Sequence, residues 1–124
     1  MIYPMRNTIK NNRDFHTERS FPFAATDWFS VHTKVAKFPN DPRYGLMVTK
    51  RNFRYAVQRN RAKRLLRDWI RYADEYMCPD LDYIIFARAP ILNKDVTREI
   101  GRRAMVHAFK YIKSQNDKRK INAQ

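Results

Sequence analysis

Residues 56–70, AVQRNRAKRLLRDWI, constrain this chain more than any other stretch. Arg59, Arg61, Lys63, Arg64 and Arg67 crowd into nine positions, and the run continues through Leu65, Leu66, Trp69 and Ile70. On a helical wheel Ala62, Leu66, Trp69, Ile70, Ala73 and Met77 fall within one arc. Arg61, Lys63, Arg64, Arg67 and Arg71 fall on the side away from it. The spacing predicts a helix reaching about Tyr76, where Cys78-Pro79-Asp80 stops it. Cations one turn apart repel by about 0.2–0.5 kcal/mol per pair, so the arrangement weakens the helix unless an anion is to meet it. Arg59 lands near the apolar arc, which places it at the start of the first turn, with its guanidinium reaching along the helix start.

The whole chain carries the same bias. Lys and Arg number 26 against 12 acidic residues, a formal charge of +14, and a field of that size draws polyanions such as nucleic acid or acidic lipid. At 124 residues with 44% hydrophobic content the chain fits one domain with a modest core. Aromatic residues at 14% argue against a disordered basic tail. Two glycines, Gly45 and Gly101, leave no material for a phosphate-cradling loop, so P-loop nucleotide hydrolysis is out. Cys78 is the only cysteine, so no internal disulfide forms, which favours a reducing compartment and a cytoplasmic location. The opening residues lack the apolar core of a signal peptide, and no run approaches about 18 apolar residues.

Periodicity places the other elements. Residues 1–12 read as a flexible segment, residues 13–113 as the folded unit and residues 114–124 as a flexible basic tail. Residues 13–19 offer a short helical turn. From Asp27 the pattern alternates, with Phe29, Val31, Thr33 and Val35 on one face and Trp28, Ser30, His32 and Lys34 on the other. Pro39-Asn40-Asp41-Pro42 is a turn, and a second strand-like run begins at Tyr44, so the two strands are expected to pair as an antiparallel hairpin. Residues 83–87, YIIFA, read as a buried central strand. After Asn93-Lys94-Asp95, the positions Ile100, Ala104, Met105, Ala108, Phe109 and Ile112 form the apolar stripe of a last helix. The class is α+β, a small sheet covered by helices. If the strands near 46 and 84 are parallel neighbours, the basic helix is their crossover, for which a right-handed connection is the general expectation.

Arginine dominates the basic face, and its planar fork grips phosphate oxygens two at a time. Asn60 can cap the helix or bond a sugar hydroxyl or base edge. Each neutralised phosphate adds about 0.9 to the salt slope of binding for duplex DNA and about 0.7 for single strands. A handful of such contacts gives tight binding that reads shape and backbone, with specificity supplied elsewhere.

Three blocks in order and spacing carry a resemblance: residues 44–51 (YGLMVTKR), residues 56–67 (AVQRNRAKRLLR) and residues 82–88 (DYIIFAR). Together, from about Arg13 to Lys113, they resemble the protein component of bacterial ribonuclease P. The resemblance implies an α-β-β-β-α-β-α order with a left-handed crossover, against the general expectation. It implies a protein that assists a catalytic RNA, working with Mg²⁺, in cleaving precursor tRNA to the mature 5′ end. The protein itself is then not catalytic and binds no cofactor alone. Carried over onto this chain, Lys50, Arg51, Arg59, Asn60, Arg61, Lys63, Arg64 and Arg67 are implied contacts to the catalytic RNA. Phe15 and His32 match positions of a cleft for the single-stranded 5′ leader, with Arg88 at its edge. Ring faces suit that role because stacking tolerates any base. The chain departs from the family in two places: residues 52–55 (NFRY) replace a Gly-Asn pair and lengthen the connection by one residue, and His32 stands where a tyrosine is usual. A second aromatic of the first helix is missing or displaced to Phe21.

His16, His32 and His107 make no metal-binding spacing, and one cysteine gives no zinc site. Nothing points to a small-molecule substrate or a membrane, because Leu65, Leu66, Trp69 and Ile70 are needed for a core. The main rival reading is a ribosomal-type structural RNA-binding protein without a processing role. A DNA-binding factor would place the basic helix in a major groove and call for a dimer element that the sequence lacks.

Overall fold

The computed structural model describes Thr8, Ile9, Thr17 and residues 20–122. The strands are β1 (Phe23–Ala25), β2 (Phe29–Val35), β3 (Tyr44–Met47) and β4 (Leu81–Ala87). The helices are α1 (Ala56–Ala73), continued by a 3₁₀ turn over Asp74–Tyr76, and α2 (Arg98–Asn122). The strands form one sheet in the order β1-β2-β4-β3, with β1–β2 and β2–β4 antiparallel and β3–β4 parallel. α1 is therefore the crossover of the parallel pair. The described elements supply the β-β-β-α-β-α part of the expected order; the helical turn over residues 13–19 and Phe15 lie outside the described residues.

The expected hairpin of β2 and β3 does not form, because β4 lies between them. β4 is apolar or fully buried along nearly all its length, with Leu81, Tyr83, Ile84 and Ile85 all at 0% exposure, which suits a strand with a neighbour on each side. The turn that joins β2 to β3 instead crosses the start of β4. There the buried Asp82 carboxylate accepts the Arg43 N–H at 3.1 Å, Arg43 Nη2 at 2.7 Å and the Lys37 N–H at 3.4 Å. Asn40 takes a left-handed conformation in this loop, φ 69°, which asparagine tolerates better than most residues. β1 was not legible as a strand: three residues are too few to show a period.

The core fills the layer between one sheet face and the two helices. Phe29 and Val31 of β2 and Tyr83, Ile85 and Ala87 of β4 meet Leu66, Trp69, Ile70 and Ala73 of α1 and Met105, Phe109 and Ile112 of α2. The expected arc of α1 is the buried arc, from Ala62 through Met77. On α2 the stripe is displaced at its start, where Ile100 is exposed and Gly101 faces inward, because the Trp69 indole occupies the space a side chain would need.

Residues 114–122 are helical, where a flexible tail was expected. Asn116, 1% exposed, donates to both oxygens of Asp80 at 3.3 Å, and Lys120 Nζ pairs with Asp80 at 2.9 Å. Arg119 also lies over the Phe21 ring at 4.4 Å, so three side chains within little more than one turn fasten the helix to the body of the protein. Within residues 1–12, expected to be flexible throughout, Ile9 is buried and its N–H reaches the Tyr44 carbonyl at 2.8 Å on the outer edge of β3.

Gly101→Ala tests the helix seam. Alanine favours a helix interior by about 1 kcal/mol, but its Cβ would overlap the Trp69 ring, and overpacking costs about 1–3 kcal/mol or more. Thermal or urea unfolding should show a net loss, smaller when Trp69→Leu is combined with it than the single losses add up to. A variant as stable as the parent would contradict the packing.

Candidate nucleic-acid interface

The connection into α1 is built before the charge is displayed. Phe53, 2% exposed, anchors it, with its N–H on the Thr49 carbonyl at 2.9 Å. Gln58 Oε1 accepts the Tyr55 N–H at 3.2 Å, as the third residue of a capped helix does. Arg59 Nη1 donates to the carbonyls of Phe53 and Arg54 at 2.9 and 3.1 Å. The guanidinium therefore reaches back along the helix start as expected, although Arg59 is the fourth residue of the regular helix and not at its entry, and that nitrogen is committed to holding the NFRY connection in place. Among the candidate RNA contacts Arg59 is the one the structure uses internally.

The remaining cations stand outward. Lys50, Arg51, Asn60, Arg61, Arg64 and Arg67 are exposed, and Lys63 is half-buried. Residues 50–67 contain eight cations and no acid. Among the described residues the ion pairs are Arg43–Asp82, Arg102–Asp68 and Lys120–Asp80, so none of this group is neutralised by a carboxylate. No acidic residue lies in the first turn of α1, and the helix dipole adds positive potential at that end. Five like-charge pairs, 59/63, 61/64, 63/67, 64/67 and 67/71, together cost about 1–2.5 kcal/mol. Burying Trp69 and Leu66 on the other side contributes about 1.5–3 kcal/mol each, so the helix holds although its outer face repels itself. Arg54, exposed and 5.6 Å from the Tyr55 ring, extends the face; the sequence reading passed over it because it lies in the connection, outside the helical period.

Asp68 is the acid of α1, and it is turned aside to α2. Arg102 Nε and Nη2 donate to its two oxygens at 3.0 and 2.9 Å, and these bonds hold its carboxyl below the usual carboxylate range. At Asp80 burial pushes the carboxyl up, but the bonds from Lys120 and Asn116 outweigh it and the net shift is downward.

A second arrangement lies on the sheet face away from the helices. His32 pairs directly across from Phe23 in the β1–β2 ladder, and the two ring centroids are 4.7 Å apart. Phe86 meets the other side of the imidazole edge-on at 5.0 Å. His32 is thus held between two rings, half-buried, and burial pushes its pKa below the ordinary value. It is neutral near pH 7, a flat ring among flat rings. Phe23 stays 45% exposed, which leaves an aromatic surface open to solvent. Arg88 is exposed two residues past Phe86, in extended backbone that continues the strand's alternation toward the same face. In the sequence Phe86 reads as part of a continuous buried run and is not set apart, and Phe23 lies in a strand too short to show a period.

Among the described residues no cluster of three or more His, Cys, Asp or Glu could hold a metal ion, and no helix is long and apolar enough to cross a membrane. What the two arrangements offer is phosphate binding along α1 and base stacking at the exposed Phe23 end of the ring cluster. The His32 assignment is checked by NMR titration: its imidazole should titrate below 6.5, the ordinary value. Because the folded pKa is lowered, the fold's stability should be fully present above 6.5 and decline as pH falls toward the folded value. An imidazole titrating at or above the ordinary value would place His32 outside the ring stack.

The ribonuclease P family model matches residues 3–113. A ribonuclease P protein component from Listeria welshimeri is 36% identical over 104 residues, covering 82% of this chain and 84% of that protein. The one from Brucella melitensis is 39% identical over 87 residues, 67% of this chain, and the match spans only 61% of the relative's length. Among solved structures, the RNase P protein of Staphylococcus aureus superposes with a TM-score of 0.65 at 29% identity, over 87% of this chain and 94% of that one. The sheet crossed by a cationic helix, the order of the three sequence blocks and these matches agree: the chain belongs to the ribonuclease P protein family.

Proposed function

We propose that this chain is the protein subunit of ribonuclease P and assists RNA-catalysed removal of the 5′ leader from precursor tRNA. The observation that carries this reading is the outer face of α1: exposed guanidinium groups, no carboxylate partner among the described residues, and a helix anchored firmly enough by its other side to present them. In this reading the face binds the catalytic RNA. Arg61, Arg64 and Arg67, with Lys50, Arg51, Lys63 and Asn60, neutralise and bond its phosphate chain, while Arg59 fixes the loop that aims them.

In this reading the leader meets the ring cluster on the sheet face away from the helices, where Phe23 is exposed. His32, held between Phe23 and Phe86, offers a stacking surface that accepts any base, which suits a substrate segment of variable sequence. Arg88 sits at the edge of that face for a leader phosphate. Among the described residues no group of three or more His, Cys, Asp or Glu could hold a metal ion, and Asp68, Asp80 and Asp82 are each engaged by separate Arg, Lys or Asn side chains. Mg²⁺ in this reading belongs to the phosphates of the RNA. The protein's part is to bind, orient and screen charge, and Cys78, a buried free thiol, suits a reducing compartment such as the cytoplasm.

Reconstitution with a bacterial ribonuclease P RNA at low Mg²⁺ tests the reading. Added protein should restore 5′ processing, and His32→Ala should weaken binding of precursor tRNA by about 10-fold, one stacked base's worth, without weakening mature tRNA. No stimulation by the protein would defeat the reading, and equal losses on both tRNAs would place His32 away from the leader.

A further inference from the structure

We infer that single-stranded RNA leaving the His32 surface continues around the β1 edge onto an aromatic and cationic stripe of α2. The inference rests on the leader reading above and extends it to residues that reading leaves unused. Phe23 is the hinge of the argument, because it belongs to two sites at once. On one side its ring contacts His32. On the other it lines a groove of about 340 Å³ with Ala24, Thr26, His107 and Tyr111. β1 is the edge strand of the sheet, so nothing in the sheet order closes the path between the two.

On the α2 side the groove is lined by His107, Ala108 and Tyr111, and Arg103 and Lys118 stand beyond it along the helix. Arg103, His107 and Tyr111 follow at i, i+4 and i+8 on α2, and Lys118 falls on the same face a turn and three residues further on. All four are exposed, and Tyr111 is 50% so. Neither Arg103 nor Lys118 is in an ion pair among the described residues. The two acids of α2 lie at the ends of the stripe, Glu99 one turn before Arg103 and Asp117 beside Lys118, and neither falls between Arg103 and Tyr111. Tyr111 is also held in position: Gln115 Nε2 donates to its hydroxyl at 3.0 Å, while Gln115 Oε1 accepts the Phe23 N–H at 3.2 Å. One side chain thus ties the tyrosine to the edge strand and covers that strand's free N–H.

Rings flanked by a cation about two turns to either side fit a strand of unpaired nucleotides, with bases on Phe23 and Tyr111 and phosphates toward Arg103 and Lys118. Charge complementarity and continuity with the His32 surface favour this occupant over a folded helix, which would need a wider cationic surface.

Equilibrium binding of precursor tRNAs with leaders of about 4 and about 16 nucleotides, the two ends of the span one small domain covers, tests this in the reconstituted complex. The parent protein should gain affinity from the longer leader. Tyr111→Ala and, separately, Arg103→Gln should lose that gain, about 10-fold for the tyrosine, while keeping parent affinity for the short-leader substrate and for the catalytic RNA. A gain that survives in both variants overturns the inference and leaves the leader reading intact. Equal losses on short leaders or on the catalytic RNA assign the stripe to folded RNA and also overturn it. A parent protein that gains nothing from either leader, with His32→Ala silent as well, defeats both readings together.

Discussion

Everything that α1 does outwardly depends on how tightly its inner side is held. The Trp69 indole is wholly buried where α2 crosses, and Gly101 is the one residue that lets the second helix come close enough to cover it. Leu66, Ile70 and Ala73 continue the seam toward the sheet. This burial exceeds the mutual repulsion of the cations on the other side by several fold. The helix can therefore carry a charge pattern that it could not sustain as an isolated peptide.

The few acids are distributed so that they leave that pattern intact. Asp82 closes the loop before β3 through Arg43, Asp80 fastens the end of α2 through Lys120 and Asn116, and Asp68 joins the two helices through Arg102. Each of these carboxylates takes its cation from outside residues 50–67. Basic residues number 26 against 12 acidic ones, and the ion pairs among the described residues all lie away from the basic face. Residues 50–67, with eight cations and no acid, hold more than half of the formal +14.

Much of this was legible in the sequence because it is periodic. The apolar arc of α1, the buried β4, the two faces of β2 and the inner stripe of α2 all follow from side-chain spacing. What was not legible depends on partners distant in the chain. The β2–β3 hairpin was expected from a turn motif, but strand order is decided by which strand can be covered on both sides, and that was β4. Residues 114–122 looked like a loose tail because their polarity hides the buried Asn116–Asp80 bond, 36 residues apart. The rings around His32 come from the two neighbouring strands, and the shorter of them has no period to read. Arg59 showed its role only through its offset from the cationic face, which fits a side chain bonded to its own loop.

The central claim is that the outer face of α1 neutralises the phosphate chain of a folded RNA. Its most direct measurement is the salt dependence of binding to the catalytic RNA, for the parent and for Arg61→Ala combined with Arg64→Ala. The account expects the double variant to bind more weakly at moderate salt and its slope of log K against log salt to flatten by about 1.4–1.8, two phosphates' worth. An unchanged affinity and an unchanged slope would remove the helix from the interface.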